Sequence, residues 1–290
     1  MRASANVMCS EARLAQPTAL EALVSFVREY PRLCVLTGAG CSTESGIPAY
    51  RDKDGAWQHK RPIDYRDFVR SERIRRRYWA RSMIGWQDFA RARPNLAHVS
   101  LARLERAGVV RHLVTQNVDG LHRAAGSRRV IDLHGRLDTV ECLACAHRRS
   151  RSDLQRQLQA ENPAFRSGAA WRTPDGDAEL EETDLTGFRI PACAECDGVL
   201  KPSVVFFGES IPRDRVREAL AYVHEADALL VIGSSLMVYS GYRLCRAAAE
   251  RQKPIAAVNI GRTRADDLLA LKVADRCGEV LAALVNRLDA

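Results

Sequence analysis

The sequence predicts an α/β protein: a parallel sheet with helices on both faces, enlarged by a smaller unit that two insertions build. Three observations predict it. Four short β-branched or leucine-rich runs, "RLCVLT" (32–37), "VVRHLVT" (109–115), "DALLVIG" (227–233) and "PIAAVNI" (254–260), alternate with stretches of helical apolar spacing, the order that gives parallel strands joined by crossover helices. A glycine-bearing loop, "GAGCSTESGIPAYRD" (38–52), follows the first of these runs, where a strand delivers the chain to a ligand crevice. Two C-x-x-C pairs lie in a stretch that breaks the alternation, which marks a metal-held unit. The parent is expected to be Rossmann-like over 18–47, 96–135 and 202–290, with a helical, loop-bearing insertion at 48–95, a zinc-ribbon insertion at 136–201 and an N-terminal extension at 1–17.

The helices are read in chain order from apolar spacing: "TALEALVSFVRE" (18–29), "NLAHVSLARLERAG" (95–108), "RDRVREALAYVHEA" (213–226), "GYRLCRAAAERQ" (241–252) and "GEVLAALVNRL" (278–288). Gly108 closes the second in the manner of a C-cap glycine. The first insertion has helical spacing over 68–92 and no strand. The second holds a helix near "SDLQRQLQAE" (152–161) and a polar run, "TPDGDAELEETD" (173–184). That run does not have the ligand spacing of an EF-hand. There are no internal repeats.

Composition narrows the function classes. A chain of 290 residues, 46% apolar and 28% charged, suits a soluble enzyme and is too polar for a membrane protein, and no apolar run approaches the roughly 18 residues of a spanning helix. The first residues contain no apolar signal-peptide core, so the expected location is the cytoplasm, or the mitochondrial matrix if the source is eukaryotic. Nine cysteines in such a setting are not a disulfide framework. The net charge of +8 is carried almost wholly by arginine. The cluster "RSERIRRRYWAR" (70–81) reads as a solvated helix face in preference to a nucleic-acid stripe, while general basicity suits anionic ligands.

Cys142 and Cys145, with Cys193 and Cys196, are spaced so that each pair grips one ion from a tight turn. The 47 intervening residues exceed the common ribbon spacing, which long loops tolerate because closure entropy grows slowly with length. Zinc is expected, ahead of redox dithiols or chance. With four thiolates the metal has no open position, so its contribution is folding energy. His147 reads as a surface residue, and Cys9, Cys34 and Cys245 as buried or incidental thiols.

The loop at 38–43 has Thr43 where a G-x-G-x-x-G fingerprint needs its third glycine, and no acidic strand end follows about 20 residues later. Hydride transfer loses its main support. "TQNVDGLH" (115–122) lies at a strand's C-terminal end. There Gln116, Asn117 and Asp119 offer amide donors and acceptors and a carboxylate, suited to a ligand with a ribose and a carboxamide; an Asx-type turn explains the octapeptide equally well. "IDLHG" (131–135) is read as a further short strand ending in His134 and Gly135. A lone strand-end histidine is usually structural, but this one could meet the same crevice and take a proton from a sugar hydroxyl. His122 is the rival, read as a helix-packing residue.

Together "GAGCSTESGIPAYR", "TQNVDGLH", "LHG", the paired cysteines, "KPSVVFFGE", "GSS" and "VNIG" resemble the sirtuins, over roughly residues 18–285 and in the family's order. "RPIDYRDFVRS", "RYWAR", "PDGD" and "SGYR" are similar to class II sirtuins, the branch of the animal mitochondrial sirtuin four. The resemblance implies an NAD-dependent protein-lysine deacylase with one structural Zn2+, acting on acyl-lysine proteins or peptides and releasing nicotinamide and acyl-ADP-ribose. Gly38, Ala39 and Gly40 would let the backbone approach the pyrophosphate, Thr43 would begin the helix there, and Tyr50 and Arg51 would close over the ribose and phosphate. Most sirtuins have phenylalanine at the Tyr50 position and an aliphatic residue at that of Cys41.

By the same resemblance Gln116, Asn117, Val118 and Asp119 would hold the nicotinamide and its ribose, and His134 would be the general base. Gly233, Ser234 and Ser235 would bind phosphate and adenosine ribose; Asn259, Ile260, Gly261 and Cys277 would line the adenine side. "VVFFGES" (204–210), with Val205, Phe206, Gly208 and Glu209, and "LMVYS" (236–240) would form two edges between which an acyl-lysine peptide adds as a strand. Tyr78 and Arg81, about one helical turn apart, would meet the acyl group, and Arg81 in the acyl tunnel would favour a terminal carboxylate over acetyl. Two other readings stay open: mono-ADP-ribosyl transfer, and a zinc-ribbon nucleic-acid binder.

Overall fold

A computed structural model of the chain describes residues 17–58, 62–165, 171–172, 178–179 and 185–289. Cys9, the N-terminal extension up to residue 16 and most of the "TPDGDAELEETD" run lie outside them. Helix α1 (Ala19–Glu29) starts on a capping box in which Thr18 and Glu21 satisfy each other's backbone amides. It leads into strand β1 (Leu33–Thr37), which is buried along its whole length. Two short 3-10 turns follow, then α2 (Tyr65–Arg70), α3 (Glu72–Phe89), α4 (Leu96–Arg106) and β2 (Val110–Thr115). The chain continues with α5 (Leu121–Ala124), β3 (Val130–Asp132), β4 (Gly135–Cys142), β5 (Arg148–Ser150) and α6 (Arg151–Glu161). A two-residue hairpin, β6 (Trp171–Arg172) and β7 (Ala178–Glu179), precedes β8 (Leu200–Val204), α7 (Arg213–Glu225), β9 (Ala228–Ile232), α8 (Tyr239–Ala249), β10 (Ile255–Val258), β11 (Leu271–Val273) and α9 (Cys277–Leu288).

Six strands form one sheet in the order β3-β2-β1-β9-β10-β11, and every neighbouring pair is parallel. This is a doubly wound Rossmann-like arrangement, and its strand order reverses between β1 and β9, where open α/β sheets bind ligands. The period-2 rule divides the strands between two cores. Leu33, Val35, Leu230, Ile232, Ala256 and Val258 pack with α1, α4 and α9 on one face. Cys34, Leu36, Leu229, Val231, Ile255 and Ala257 pack with α7 and α8 on the other. Burial of Cys34 and Cys245 in this second core pushes both thiols up to about 12, so they serve as small apolar side chains.

A third core joins the two insertions: Phe68 from α2, Trp79, Met83 and Trp86 from α3, Leu137 and Val140 from β4, Leu154 and Leu158 from α6, and Leu200 from β8. Its sheet is antiparallel, in the order β5-β4-β8. The pattern over 68–92 does not give a single helix. Ser71 interrupts it in extended conformation and caps α3, its hydroxyl accepting from the Ile74 amide. Strand β11 was not expected from the sequence, because Leu271–Val273 is too short to display alternation. Strand β3 ends at Asp132, so His134 stands in the turn before β4 and not at the end of a strand.

Candidate active site

The reversal point is built by close backbone approach. The Gly40 amide donates to the Gly233 carbonyl at 2.8 Å, and a Cβ on Gly40 would lie 2.9 Å from that oxygen. Gly233 has φ +60, and a Cβ there would strike the Cys41 amide nitrogen. The ends of β1 and β9 thus interlock without side chains and leave a backbone-lined floor. The chain turns over this floor in two 3-10 turns, Ala39–Cys41 and Thr43–Ser45. Thr43 therefore begins a 3-10 turn and not an α-helix, its hydroxyl donating to Gly40 O at 3.1 Å.

Above the floor opens a cleft of about 750 Å3, within the usual range of small-molecule and cofactor pockets. Its polar wall centres on Ser42. The Ser42 hydroxyl donates to Asp119 Oδ2 at 2.7 Å and accepts from Asn117 Nδ2 at 2.9 Å. Asn117 Nδ2 also donates to Gly38 O at 3.0 Å, and Gln116 Nε2 donates to Ser234 Oγ at 2.8 Å. Burial raises the Asp119 carboxyl above its ordinary value, against the lowering effect of the Leu121 amide and Ser42. A ligand amide is a donor of the kind this carboxylate lacks.

His134 meets this wall from the next turn. Its Nδ1 lies 2.9 Å from Gln116 O. A carbonyl only accepts, so Nδ1 carries the proton and Nε2 presents a lone pair, here accepting from Ser240 Oγ at 2.8 Å. Burial lowers the imidazole to about 4, with Arg215 adding to the effect, so the ring is a neutral base at pH 7.

The opposite rim is fixed to the same histidine: the Val205 amide donates to His134 O at 2.7 Å. Glu209 accepts from the Phe206 amide at 2.8 Å and pairs with the buried Lys201 at 3.2 Å. Tyr50, Trp57 and Phe207 form an edge-on aromatic triad over the cleft mouth, and the Arg51 guanidinium lies 4.1 Å from the Trp57 ring centre. Residues 205–210 have left the sheet at Val204, and α8 begins at Tyr239. Neither expected peptide edge is a sheet strand in the isolated chain.

The cleft gathers Gly38, Ala39, Gly40, Thr43, Tyr50 and Arg51, the 116–119 segment, His134, Val205, Phe206, Gly208 and Glu209, the 233–235 segment, the 259–261 segment and Cys277. It does not gather Tyr78 or Arg81, which are not among its lining residues. Tyr78 is buried one layer behind, its ring 5.4 Å from that of Phe206, and Arg81 is half-buried on α3. An Arg81 side chain in an acyl tunnel open to the cleft is therefore not what the structure presents. Sequence reading missed Ser42 and Ser240. Ser42 sits inside the quoted loop, but its value lies in partners 75 and 77 residues away. His122 is a packing residue as expected, buried with Nε2 2.9 Å from Thr37 Oγ1.

The four cysteines converge. Cys142 Sγ lies 3.6 Å from Cys196 Sγ, and Cys145 Sγ lies 3.7 Å from Cys193 Sγ. All four sulfurs fall within 4.8 Å of one another. Zn–S bonds of about 2.3 Å give a tetrahedral edge of about 3.8 Å, so these residues fit a closed zinc site. Ala146 and Asp197, each directly after a pair, adopt φ +57 and +55 and curl the chain around the sulfurs. His147 is exposed, as expected.

Comparison with known proteins agrees with this geometry. A model of the Sir2 family matches residues 38–240. The "NAD-dependent protein deacetylase 2" of Bradyrhizobium diazoefficiens is 56% identical over 93% of this chain and 98% of its own length. The human mitochondrial "NAD-dependent protein lipoamidase sirtuin-4" is 50% identical over 91% of this chain and 85% of its own. A solved Sir2 structure with p53 peptide and NAD+ superimposes with a TM-score of 0.76 at 30% identity, covering 93% of this chain and 98% of that one. Among the described residues no helix is long and apolar enough to cross a membrane.

Proposed function

The chain belongs to the Sir2 family and is an NAD-dependent protein-lysine deacylase; we propose that its cleft does this work with His134 as general base and the Ser42-centred wall as the nicotinamide site. NAD, as co-substrate, supplies a glycosidic carbon from which nicotinamide departs and to which the acyl oxygen of a modified lysine attaches. The chain's own residues supply orientation, dryness and a proton acceptor. Asp119, half-buried and raised by desolvation despite its bonds from Ser42 and Leu121, accepts from the carboxamide. Asn117 and Gln116 hold the wall rigid through bonds to Gly38 and Ser234, and pre-positioning of this kind lowers the barrier without reorganisation. His134 Nε2 receives a ribose hydroxyl proton once Ser240 gives way. The acyl-lysine peptide lies between the 205–208 rim and the 236–238 segment, with Phe206 beside the acyl chain.

The observation that carries this reading is the His134 tautomer. A backbone carbonyl fixes the proton on Nδ1 and leaves Nε2 as a base facing the cleft. The test is nicotinamide and free-lysine release from an acyl-lysine peptide with NAD. His134→Ala is expected to lose on the order of 10²–10⁴ in turnover while the thermal midpoint and bound zinc stay unchanged. A folded, zinc-loaded His134→Ala protein that retains turnover would overturn the assignment. Analysis of the same reaction for ADP-ribosylated protein separates deacylation from ADP-ribosyl transfer.

A further inference from the structure

Behind the nicotinamide wall, and separate from the four-cysteine site, Cys41, His98 and His122 form a second convergent cluster. One ligand atom from each lies within 4.8 Å of the other two, and all three residues are buried. The remaining nitrogens are already engaged. His98 Nδ1 lies 2.9 Å from Asn95 Oδ1 at the start of α4, and His122 Nε2 lies 2.9 Å from Thr37 Oγ1. That leaves His98 Nε2, whose contact with Ser42 Oγ is a long 3.4 Å, and His122 Nδ1, which has no hydrogen-bond partner among the described residues. A fully buried imidazole nitrogen without a partner is costly to keep. Outer partners of this kind, Asn95 on one ring and Thr37 on the other, match the way metal-binding histidines are held.

We propose that Cys41, His98 and His122 form an inhibitory binding site for a second Zn2+. Two imidazoles and a thiolate are a zinc donor set. Imidazole binds a metal in its neutral form, which burial favours for both rings, while burial also pushes the Cys41 thiol up, a cost that the Sγ–Zn bond has to offset. On binding, the Cys41 thiol proton leaves to solvent and the Sγ–Zn bond replaces it. The ion and one thiolate leave one positive charge, which Asp119 is placed to offset through Ser42. Zn–N and Zn–S bonds of about 2.0 and 2.3 Å require donor separations of about 3.3–3.6 Å, shorter than the present upper bound of 4.8 Å. Closing that gap draws in Cys41, which is part of the loop over the floor, and His98, which touches Ser42. Occupancy is thereby coupled to the wall that holds nicotinamide.

The test starts from protein carrying one zinc per chain at the four-cysteine site and adds zinc, or cobalt as a spectroscopic probe, under reducing conditions. The wild type is expected to bind a second equivalent, to show a thiolate-to-cobalt band, and to lose at least fivefold in nicotinamide release, restored by a mild chelator that leaves the first zinc in place. Cys41→Val is expected to bind no second equivalent, to show no added cobalt band and, measured against its own zinc-free rate, to resist inhibition. His122→Gln provides a second ligand-deleted variant if Cys41→Val fails to fold. A second equivalent bound equally by wild type and both variants, or by none of them, overturns the site. A variant-sensitive second zinc without loss of turnover overturns its inhibitory role. Because stoichiometry and the cobalt band are read without catalysis, failure of the proposed deacylase mechanism would be distinguishable from failure of this site.

Discussion

The six-stranded unit and the inserted unit bury polar groups for different ends. In the parallel sheet the interiors of β1, β9 and β10 are apolar on both faces, and polar side chains gather at the β1–β9 reversal, where they line the cleft. The inserted unit instead encloses cations. Arg151, 1% exposed, donates to Ser82 O and Oγ and to Gln155 Oε1 and lies 4.9 Å from the Trp86 ring centre. Lys201, 2% exposed, donates to Val204 O at 2.6 Å and pairs with Glu209. One unit is a continuous hydrophobic core with a working edge. The other is a small core made cohesive by a metal cluster and by cations satisfied on carbonyls and aromatic faces. On the proposed function, catalysis belongs to the first, and the rigidity of the rim to the second.

Removing the metal should break the contrast most severely. Structural zinc contributes on the order of 10–16 kcal/mol in small zinc-binding peptides, comparable to the whole stability of a typical domain. Chelation, or Cys193→Ser, is expected to abolish turnover and to open 136–201 to protease while most of the helical circular dichroism, which comes from the parent unit, survives. If turnover persists after zinc is gone by elemental analysis, the rim does not depend on the metal unit.

Acid should act on the parent unit instead. His98 and His134 sit near 4 in the folded chain because burial disfavours their charged forms. An unfolded chain protonates them near 6.5. As pH falls below about 6.5 the unfolded state binds more protons, so the stability these rings contribute is complete above that pH and is lost progressively toward 4. By pH 5 the loss amounts to roughly 2 kcal/mol per ring. Urea midpoints at pH 7.5, 6 and 5, read beside zinc release, check this. A midpoint that stays flat until zinc leaves would assign acid sensitivity to the thiolates alone. The same lowering predicts that kcat/KM keeps its plateau to about pH 5, where an ordinary histidine base would already have cut it by more than tenfold.

Arg151→Met should show the enclosed cation as a stability device without catalytic effect. It removes a charge whose burial lowers the guanidinium to about 10 but leaves the Ser82 hydroxyl and Gln155 Oε1 without their guanidinium donor, for a net cost of about 2 kcal/mol. Chemical denaturation measures it. A stabilised variant would mean that the cation costs more than its partners return.

What the sequence made legible follows the same division. Alternating apolar runs revealed the sheet, because a doubly covered parallel strand has to be continuous in Val, Leu and Ile, as Leu229–Ile232 is. Cysteine spacing revealed the metal, because the turn that grips an ion is local. His134 and Asp119 stood in recognisable segments. Ser42, Arg151 and Lys201 did not stand out, because the role of each is set by partners such as Asp119, Ser82 and Glu209 that no local pattern connects to it. The Ser71 break in the 68–92 pattern was hidden too, since its cap is one hydroxyl in an otherwise continuous periodicity.

The smallest effect is expected at Arg81 on α3, off the cleft wall. Tyr78 packs on Phe206, and Phe206 lines the cleft, so the Phe206 ring stands between the cleft and Tyr78 on α3. Arg81 stands one turn further along α3, half-buried and off the cleft wall. Arg81→Ala should therefore change kcat/KM by less than about threefold, under about 1 kcal/mol, and equally across acetyl, lipoyl, succinyl and glutaryl peptides. A selective loss on the acidic acyl groups would show that substrate opens the Phe206 layer and brings the guanidinium to the carboxylate, an exchange worth more than a surface contact because it occurs away from water. Phe206→Ala sharpens the distinction: if the ring is the barrier, its removal should raise turnover of long acyl chains relative to acetyl, and should make that gain depend on Arg81 only when the chain ends in a carboxylate.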